Sequence, residues 1–149
     1  MDEPTGPVVR ECVEGYLYAN PPLELLLFRR TPARGQIWVP ISGKVEATDT
    51  DFESALRREL REETALAQPR RVFSLDWQVR FRADNGETWR LHAYGVEVDR
   101  SFTPVLSAEH EDAAWVSLDE AIARLHYEDN KGAVAQLVRH LAAGPSPNV

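Results

Sequence analysis

The sequence predicts an α+β fold, in which helices pack on a mixed β-sheet, and three observations support this class. Segments rich in β-branched and aromatic residues, which are typical of strands, dominate residues 8–30 and 70–98. An Asp84-Asn85-Gly86 sequence within the second region is a strong hairpin signal. Apolar residues recur at helical spacing near the middle and the end of the chain. Groups of strands therefore alternate with helices, as expected of an α+β domain.

The individual elements follow from local signals. The Asn20-Pro21-Pro22 turn predicts that the first two strands form a hairpin. Thr50 lies three residues before Glu53, a capping-box pattern that begins a helix. We predict strands over residues 8–19, 23–30, 36–41, 70–82, 87–98 and 112–118, with a break at Ser42-Gly43 and a loop over 43–51. We predict a helix from Thr50 to about Thr64, a short helix from Ser117 or Asp119 to about Leu125, and a long helix over 128–143. Residues 144–149 are expected to form a frayed tail.

Length and composition exclude several classes of protein. A chain of 149 residues corresponds to one domain, and its net charge of −7, with no basic run, argues against a nucleic-acid partner. The single cysteine, Cys12, excludes an internal disulfide and a multi-cysteine metal site. The first residues are unlike a signal peptide, and no apolar run approaches a membrane span. We therefore expect a cytoplasmic protein with no membrane partner, as a monomer or a homodimer.

The segment RELREET, residues 58–64, carries three closely spaced glutamates. At about 100° per residue, Glu59 and Glu63 lie on the same side of the helix as its apolar residues, whereas Arg57 and Arg61 lie on the opposite side. Residues three and four apart are neighbours on a helix, so these carboxylates repel one another. A bound cation is the simplest compensation for that charge.

These residues resemble the signature of the Nudix hydrolases, G-x5-E-x7-R-E-U-x-E-E-x-G-U, in which U is aliphatic. The core R-E-U-x-E-E is intact at 58–63, and GKVE at 43–46 matches the usual start of the loop. The resemblance covers nearly the whole chain and implies the Nudix fold, a mixed sheet sandwiched between helices (α/β/α). The chain departs from the pattern in the loop, which is one residue longer, and at Ala65, which replaces a glycine that tends to end the helix with positive φ.

The resemblance implies a metal site and the residues that form it. Glu59, Glu62 and Glu63 are the implied ligands, and one of them or a nearby acid helps to deprotonate the attacking water. Mg²⁺ is the implied cofactor, with Mn²⁺ as a substitute, because Mg²⁺ prefers oxygen ligands and retains waters. Arg58 is expected to orient the acids through a salt bridge. Its partner is either Asp49 or Asp51, which bracket the place of the loop glutamate.

Three further segments supply candidates. Glu46 in the GKVE loop resembles a family position close to the metal. SAEHEDAAW (107–115) resembles an S-x-E-H-x-x-x-x-W stretch in Nudix enzymes that cleave nucleoside triphosphates, dihydroneopterin triphosphate or dinucleoside polyphosphates. There the glutamate, here Glu109, supplies a further ligand or base, with Glu111 as the competitor and His110 as a loop-structuring residue. YEDNKGAV (127–134) resembles a segment that borders the substrate pocket. Tyr127 and Asn130 are its candidates, and turn or N-cap chemistry is the alternative for both.

Basic and aromatic side chains near these segments are the candidates for substrate contacts. Arg29 and Arg30 end a strand that should point toward the loop, and Lys44 lies within it. Trp38 and Trp89 could stack on a base, although a tryptophan in a strand is more often part of the core.

The predicted function is Mg²⁺-dependent hydrolysis of a pyrophosphate bond in a nucleoside polyphosphate or a related nucleoside diphosphate-linked compound, with a small phosphorylated molecule as the partner. Three alternatives stay open. The first is an ADP-ribose or nucleotide-sugar pyrophosphatase, and the second is a non-catalytic Nudix-like module that binds a nucleotide without turnover. The third is a purely structural interaction domain, which would neither bind a nucleotide nor depend on a metal.

Overall fold

The computed structural model describes residues 4–144, which form a seven-stranded mixed sheet and three α-helices. The strands are β1 Val8–Ala19, β2 Glu24–Arg30, β3 Trp38–Val39, β4 Ile41–Lys44, β5 Arg71–Arg82, β6 Thr88–Glu97 and β7 His110–Ser117. The helices are α1 Phe52–Thr64, α2 Leu118–Arg124 and α3 Glu128–Ala143, with a 3-10 turn at Pro32–Arg34. The α+β class is confirmed. Of the predicted tail, only Gly144 belongs to the described residues, and no helix among those residues is long and apolar enough to cross a membrane.

Strand β1 is the centre of the sheet, whose main order is β3-β2-β1-β6-β5. One edge of β1 pairs antiparallel with β2 near its end and antiparallel with β4 through Cys12–Gly15, while the other edge pairs parallel with β6. Strand β7 pairs antiparallel with β2. The hairpin of β1 with β2 and that of β5 with β6 are both confirmed. This topology brings the end of β4 beside α1.

Two hydrophobic cores lie on the two faces of the sheet. Alternate residues of a strand point to opposite faces, so β1 contributes to both cores. Val13 and Leu17 pack in the core that includes the apolar face of α1. Tyr16 and Tyr18 pack in the core that includes α3. The sheet is therefore sandwiched between α1 and α3, as the α/β/α prediction requires.

The predicted strand over 36–41 is confirmed only at Trp38–Val39 and Ile41, and the predicted break at Ser42-Gly43 is wrong. Strand β3 alone pairs with β2 in that region, and β4 begins immediately after Pro40. Proline has no N–H to donate to a ladder, so the chain changes partner at this residue. Ser42 and Gly43 then continue as β4, in register with β1.

The starts of α1 and β7 also differ from the prediction. Asp51, and not Thr50, is the N-cap of α1, because Asp51 Oδ1 accepts a hydrogen bond from the Ser54 N–H at 2.7 Å. The Thr50 hydroxyl lies 2.9 Å from the Ser54 hydroxyl and satisfies no backbone group of the first turn. Strand β7 begins at His110, two residues earlier than expected, because His110 pairs with Arg30 across a register shift in β2.

Candidate active site

Helix α1 carries its acidic residues on and beside the face that packs against the sheet. Glu59 and Glu63 are each 8% exposed, which confirms that they lie on the inward side, whereas the Glu62 side chain is 53% exposed. Burial is the main cause that raises the pKa of Glu59 to about 7, and burial also raises the pKa of Glu63. Two carboxyl groups in this position therefore need a positive partner to stay ionised at neutral pH.

Gly43 in β4 makes room for the carboxylate of Glu59. A Cβ atom at this position would lie 2.1 Å from the Glu59 carboxyl carbon, far inside van der Waals contact. Only glycine therefore allows the backbone of β4 and the acid of α1 to approach so closely. This contact gives a physical reason for the glycine that opens the GKVE segment.

Arg58 connects α1 to the loop that follows β4. Its Nε donates to Asp49 Oδ1 and its Nη2 donates to Asp49 Oδ2, both at 3.0 Å, in the fork geometry that arginine forms with carboxylates. Nη2 also donates to the Lys44 carbonyl oxygen at 2.9 Å. Of the two expected partners the structure selects Asp49, since Asp51 caps the helix. The Arg58 hydrogen bonds hold the pKa of Asp49 below its usual value.

The remaining arm of the Arg58 guanidinium faces three of the predicted ligands. Nη1 lies 2.9 Å from Glu59 Oε1, 3.1 Å from Glu62 Oε2 and 3.5 Å from Glu46 Oε1. These contacts gather Glu46, Glu59 and Glu62 around one positive charge. Arg58 therefore supplies part of the compensation that the clustered carboxylates require.

A second cluster forms where α1 ends. One ligand atom each from Glu63, Glu109 and His110 lie within 4.8 Å of one another. The proximity of Glu109 adds to the effect of burial in raising the pKa of Glu63. Glu109 thus joins the helix acids from a loop 46 positions further along the chain (109 minus 63). The structure divides the five predicted metal ligands between this cluster and the one around Arg58.

The sequence assigns no role to Ser107, yet this residue contacts Glu63 twice. Its hydroxyl donates to Glu63 Oε2, and its backbone N–H donates to the Glu63 carbonyl oxygen at 3.3 Å. The available signal is that Ser107 occupies the first position of the S-x-E-H stretch. Ser107 therefore anchors the loop that carries Glu109 to the end of α1.

Glu111 differs from Glu109 in its partners. Gln36 Nε2 donates to Glu111 Oε1 at 2.8 Å, and Arg29 lies 3.6 Å from the other oxygen. Glu109 instead lies beside Glu63 and has Arg34 Nη2 at 3.4 Å. Within the described residues, Glu109 is thus the one of the two that reaches the helix acids.

The predicted phosphate-binding and stacking residues occupy different surroundings. The Arg29 guanidinium lies 5.5 Å from the centre of the Trp38 ring, and Trp38 packs against the core on the α3 side. Arg30 pairs through its backbone with His110 and is half-buried. Lys44 is exposed, and its Nζ lies 5.1 Å from the centre of the Trp89 ring.

Tyr127 and Asn130 begin α3 and differ sharply in burial. Tyr127 is the N-cap residue, is 45% exposed and forms no side-chain capping bond. Asn130 is buried, and its Nδ2 donates to the Tyr16 hydroxyl at 3.1 Å and to Glu14 Oε2 at 3.3 Å. Asn130 Oδ1 has no hydrogen-bond partner in residues 4–144. The amide of Asn130 is therefore part of a buried polar network on the α3 face of the sheet.

The fold and this acidic site define the class of protein. A family model described as the NUDIX domain matches residues 15–137. The chain therefore belongs to the Nudix family.

The chain is also similar to individual proteins of known name. It is 32% identical over 112 residues to an octanoyltransferase of Myxococcus xanthus, a match that covers 73% of this chain and 30% of that protein. It is 27% identical over 135 residues to the asymmetrical bis(5'-nucleosyl)-tetraphosphatase of Rattus norvegicus, covering 85% and 86% of the two chains. Its fold matches a crystal structure of a C. elegans Ap4A hydrolase binary complex, with a TM-score of 0.77, 20% identity, and coverage of 91% and 99%.

Proposed function

We propose that this chain hydrolyses a pyrophosphate bond in a nucleoside polyphosphate, with Mg²⁺ as the cofactor and Mn²⁺ as a substitute. The observation that carries the proposal is that α1 carries both the acids held by Arg58 and Glu63, which Glu109 approaches from a loop. The names of the rat and C. elegans relatives, a bis(5'-nucleosyl)-tetraphosphatase and an Ap4A hydrolase, favour a dinucleoside polyphosphate within that class.

The residues fit a divalent cation. Glu63 and Glu109 bring two carboxylates together at the end of α1, where Glu59 lies about one helical turn before Glu63 and Glu62 directly precedes it in the sequence. Carboxylate oxygens are the ligands that Mg²⁺ prefers, and buried acids that raise one another's pKa are relieved by a positive charge. When bound, such a cation shields phosphate charge and lowers the pKa of a coordinated water. Glu46, Glu59, Glu62, Glu63 and Glu109 are the proposed ligands.

The proposed roles of Arg58 and Glu109 are to orient the ligands and to accept a proton. Arg58 orients Glu59 and Glu62 through Nη1 while Asp49 holds the other side of its guanidinium. Glu109 is the proposed general base, because its half-exposed carboxylate can accept a proton from a water in the open part of the cluster. Phosphoryl transfer depends mainly on such positioning and on charge stabilisation.

The substrate would extend from this cluster across the adjoining cationic residues. Arg29, Arg30 and Lys44 are the proposed phosphate contacts, and Trp38, Tyr127 and Asn130 are the proposed contacts to the nucleoside. Exposed Tyr127 offers a ring face, whereas buried Asn130 offers its unpartnered Oδ1. A small phosphorylated molecule is thus the proposed partner, and a cytoplasmic location is consistent with it.

The test is a hydrolysis assay with a panel of nucleotides and Mg²⁺, in which the products are identified by mass. The panel includes dinucleoside polyphosphates, nucleoside triphosphates, ADP-ribose and a nucleotide sugar. Cleavage confined to ADP-ribose or the nucleotide sugar would replace the proposed substrate class. Binding without turnover across the panel would make the chain a nucleotide-binding module.

Two single variants test the role of Glu109. Glu109→Gln should lower the maximal rate by roughly a hundredfold, the range expected for loss of a general base, with little change in the Michaelis constant. Glu111→Gln is the matched control and should be nearly silent, because Glu111 is held by Gln36 and Arg29. If Glu111→Gln is inactive and Glu109→Gln is active, Glu111 is the general base. If both variants keep full activity, neither residue of this loop is the general base.

A further inference from the structure

His110 is the residue of the second cluster whose contacts are least explained by packing. It is 8% exposed, and its ring lies 5.6 Å from that of Phe28. Its Nδ1 is buried, has no hydrogen-bond partner in residues 4–144, and lies 3.5 Å from Glu63 Oε2. A buried polar nitrogen without a hydrogen-bond partner destabilises the folded state, so the position of Nδ1 beside a carboxylate oxygen requires an explanation.

The neighbouring loop approaches the same oxygen of Glu63. The Ser107 hydroxyl donates to Oε2, and the backbone carbonyl of Ser107 accepts from the His110 N–H at 3.3 Å. Residues 107–110 therefore bring a hydroxyl donor and an imidazole nitrogen to one carboxylate oxygen. Both contacts are made to Oε2 of Glu63.

The distance of 3.5 Å is slightly longer than a hydrogen bond. A shift of a few tenths of an ångström would allow an Nδ1–H to donate to the carboxylate, and such bonds to a charged acceptor are among the stronger ones. Residues that hold the ligands of a metal in this way commonly change metal affinity when they are replaced.

We propose that His110 is a positioning residue, whose Nδ1–H, together with the Ser107 hydroxyl, holds Glu63 Oε2 so that Oε1 faces the divalent cation. This inference rests on the proposed function only in requiring that a divalent cation binds. It assigns to His110 a role in metal affinity that a loop-structuring residue does not have.

The test uses Mn²⁺ as the probe, because free Mn²⁺ can be followed by electron paramagnetic resonance during a titration. His110→Asn places an amide N–H near the position of Nδ1, whereas His110→Leu removes the donor. His110→Leu and Ser107→Ala should each weaken Mn²⁺ binding by about tenfold or more. His110→Asn should bind Mn²⁺ nearly as tightly as the parent. Melting temperatures without metal establish that each variant is folded.

Several outcomes would overturn the inference. Equal Mn²⁺ affinity in the parent and His110→Leu would show that the imidazole does not support Glu63. Equal weakening in His110→Leu and His110→Asn would assign the effect to packing. Coupling of the bound Mn²⁺ to a ¹⁴N nucleus in pulsed spectra of the parent would make His110 a direct ligand. A parent that binds no Mn²⁺ would overturn both this inference and the metal site, whereas binding without nucleotide hydrolysis would overturn the proposed function alone.

Discussion

Glu14 is a carboxyl group enclosed between the sheet and α3. It accepts hydrogen bonds from the Tyr16 hydroxyl and from Asn130 Nδ2, yet burial raises its pKa from 4.5 to about 7. The native state therefore binds this proton more tightly than the unfolded chain does. The resulting stabilisation is fully present below about pH 4.5 and is lost as the pH rises through about 7.

Replacement of this carboxyl by an amide should remove that pH dependence. When the pH rises from 5 to 8, the unfolding free energy of the parent should fall by on the order of 2 kcal/mol more than that of Glu14→Gln, because glutamine has no proton to lose. Glutamine also keeps an acceptor for the Tyr16 hydroxyl. Urea unfolding at the two pH values measures the difference.

The control is Glu128→Gln, a substitution at a highly exposed side chain of α3. This variant should retain the pH dependence of the parent. If Glu14→Gln also retains it, the proton of Glu14 does not contribute to folding.

At the scale of elements, the end of α1 is strained. Ala65 is the C-cap and has φ 62° and ψ 19°, the left-handed conformation that usually requires glycine. Its N–H donates to the Arg61 carbonyl oxygen at 3.0 Å, so the left-handed exit closes the helix as a glycine would. Although Ala65 replaces the signature glycine, α1 therefore still ends with a residue of positive φ.

We expect Ala65→Gly to stabilise the protein by about 1 kcal/mol, because glycine adopts this conformation without the steric cost of a Cβ atom. Ala135→Gly is the opposite control. Ala135 is exposed within α3, where glycine should destabilise by about 1 kcal/mol. Equilibrium unfolding of both variants measures whether each change raises or lowers the unfolding free energy. If Ala65→Gly is destabilised, the backbone of Ala65 is not strained.

The connection of α1 to the β4 loop depends on the shape of the Arg58 side chain. Lysine cannot reproduce the paired bonds to Asp49 together with the contacts to the helix acids. Arg58→Lys and Arg58→Ala should therefore lower turnover more than they weaken nucleotide binding. Steady-state kinetics and direct binding measurements separate the two quantities.

Arg57→Lys is the matched control for the neighbouring position. Arg57 forms its ion pair with Glu53 at 3.1 Å, outside the acidic cluster, so this variant should keep both turnover and affinity. A large loss of affinity with normal turnover in Arg58→Ala would instead make Arg58 a phosphate ligand.

At the scale of the whole molecule, the site joins segments that are far apart in the sequence. Gly43 of β4, Asp49 of the loop, the acids of α1, and residues 107–110 meet at the end and side of one helix. A cation bound there would bind only the folded chain, because the unfolded chain does not hold these groups together. Metal binding and folding stability should therefore be coupled.

We expect Mg²⁺ to raise the melting temperature of the parent at neutral pH, and Glu63→Gln to abolish much of that increase. Glu53→Gln, at an acid in the first turn of α1, is the control and should keep the full response. Thermal unfolding with and without Mg²⁺ provides the measurement. An equal response in the parent and Glu63→Gln would place the metal elsewhere.

Features of the site and of the fold that depend on a local sequence pattern could be predicted from the sequence. Helical periodicity alone placed Glu59 and Glu63 on the inward side of α1, because a period of 3.6 residues sets which side chains share a face. The Asp84-Asn85-Gly86 signal likewise predicted a hairpin that joins β5 to β6. Ser42 and Gly43 could not be placed in this way, since residues of weak strand propensity enter β4 only through pairing with β1.

The sequence by itself determined the class of the fold, the family, and the acids that face the interior, because all three depend on residue types at short spacing. Only the tertiary structure decided which loop acid reaches Glu63, which aspartate holds Arg58, and that Ser107 and His110 share one oxygen of Glu63. The physical reason is that these contacts join residues up to 47 positions apart (110 minus 63), and the sheet and its connections, rather than any local periodicity, set their distances.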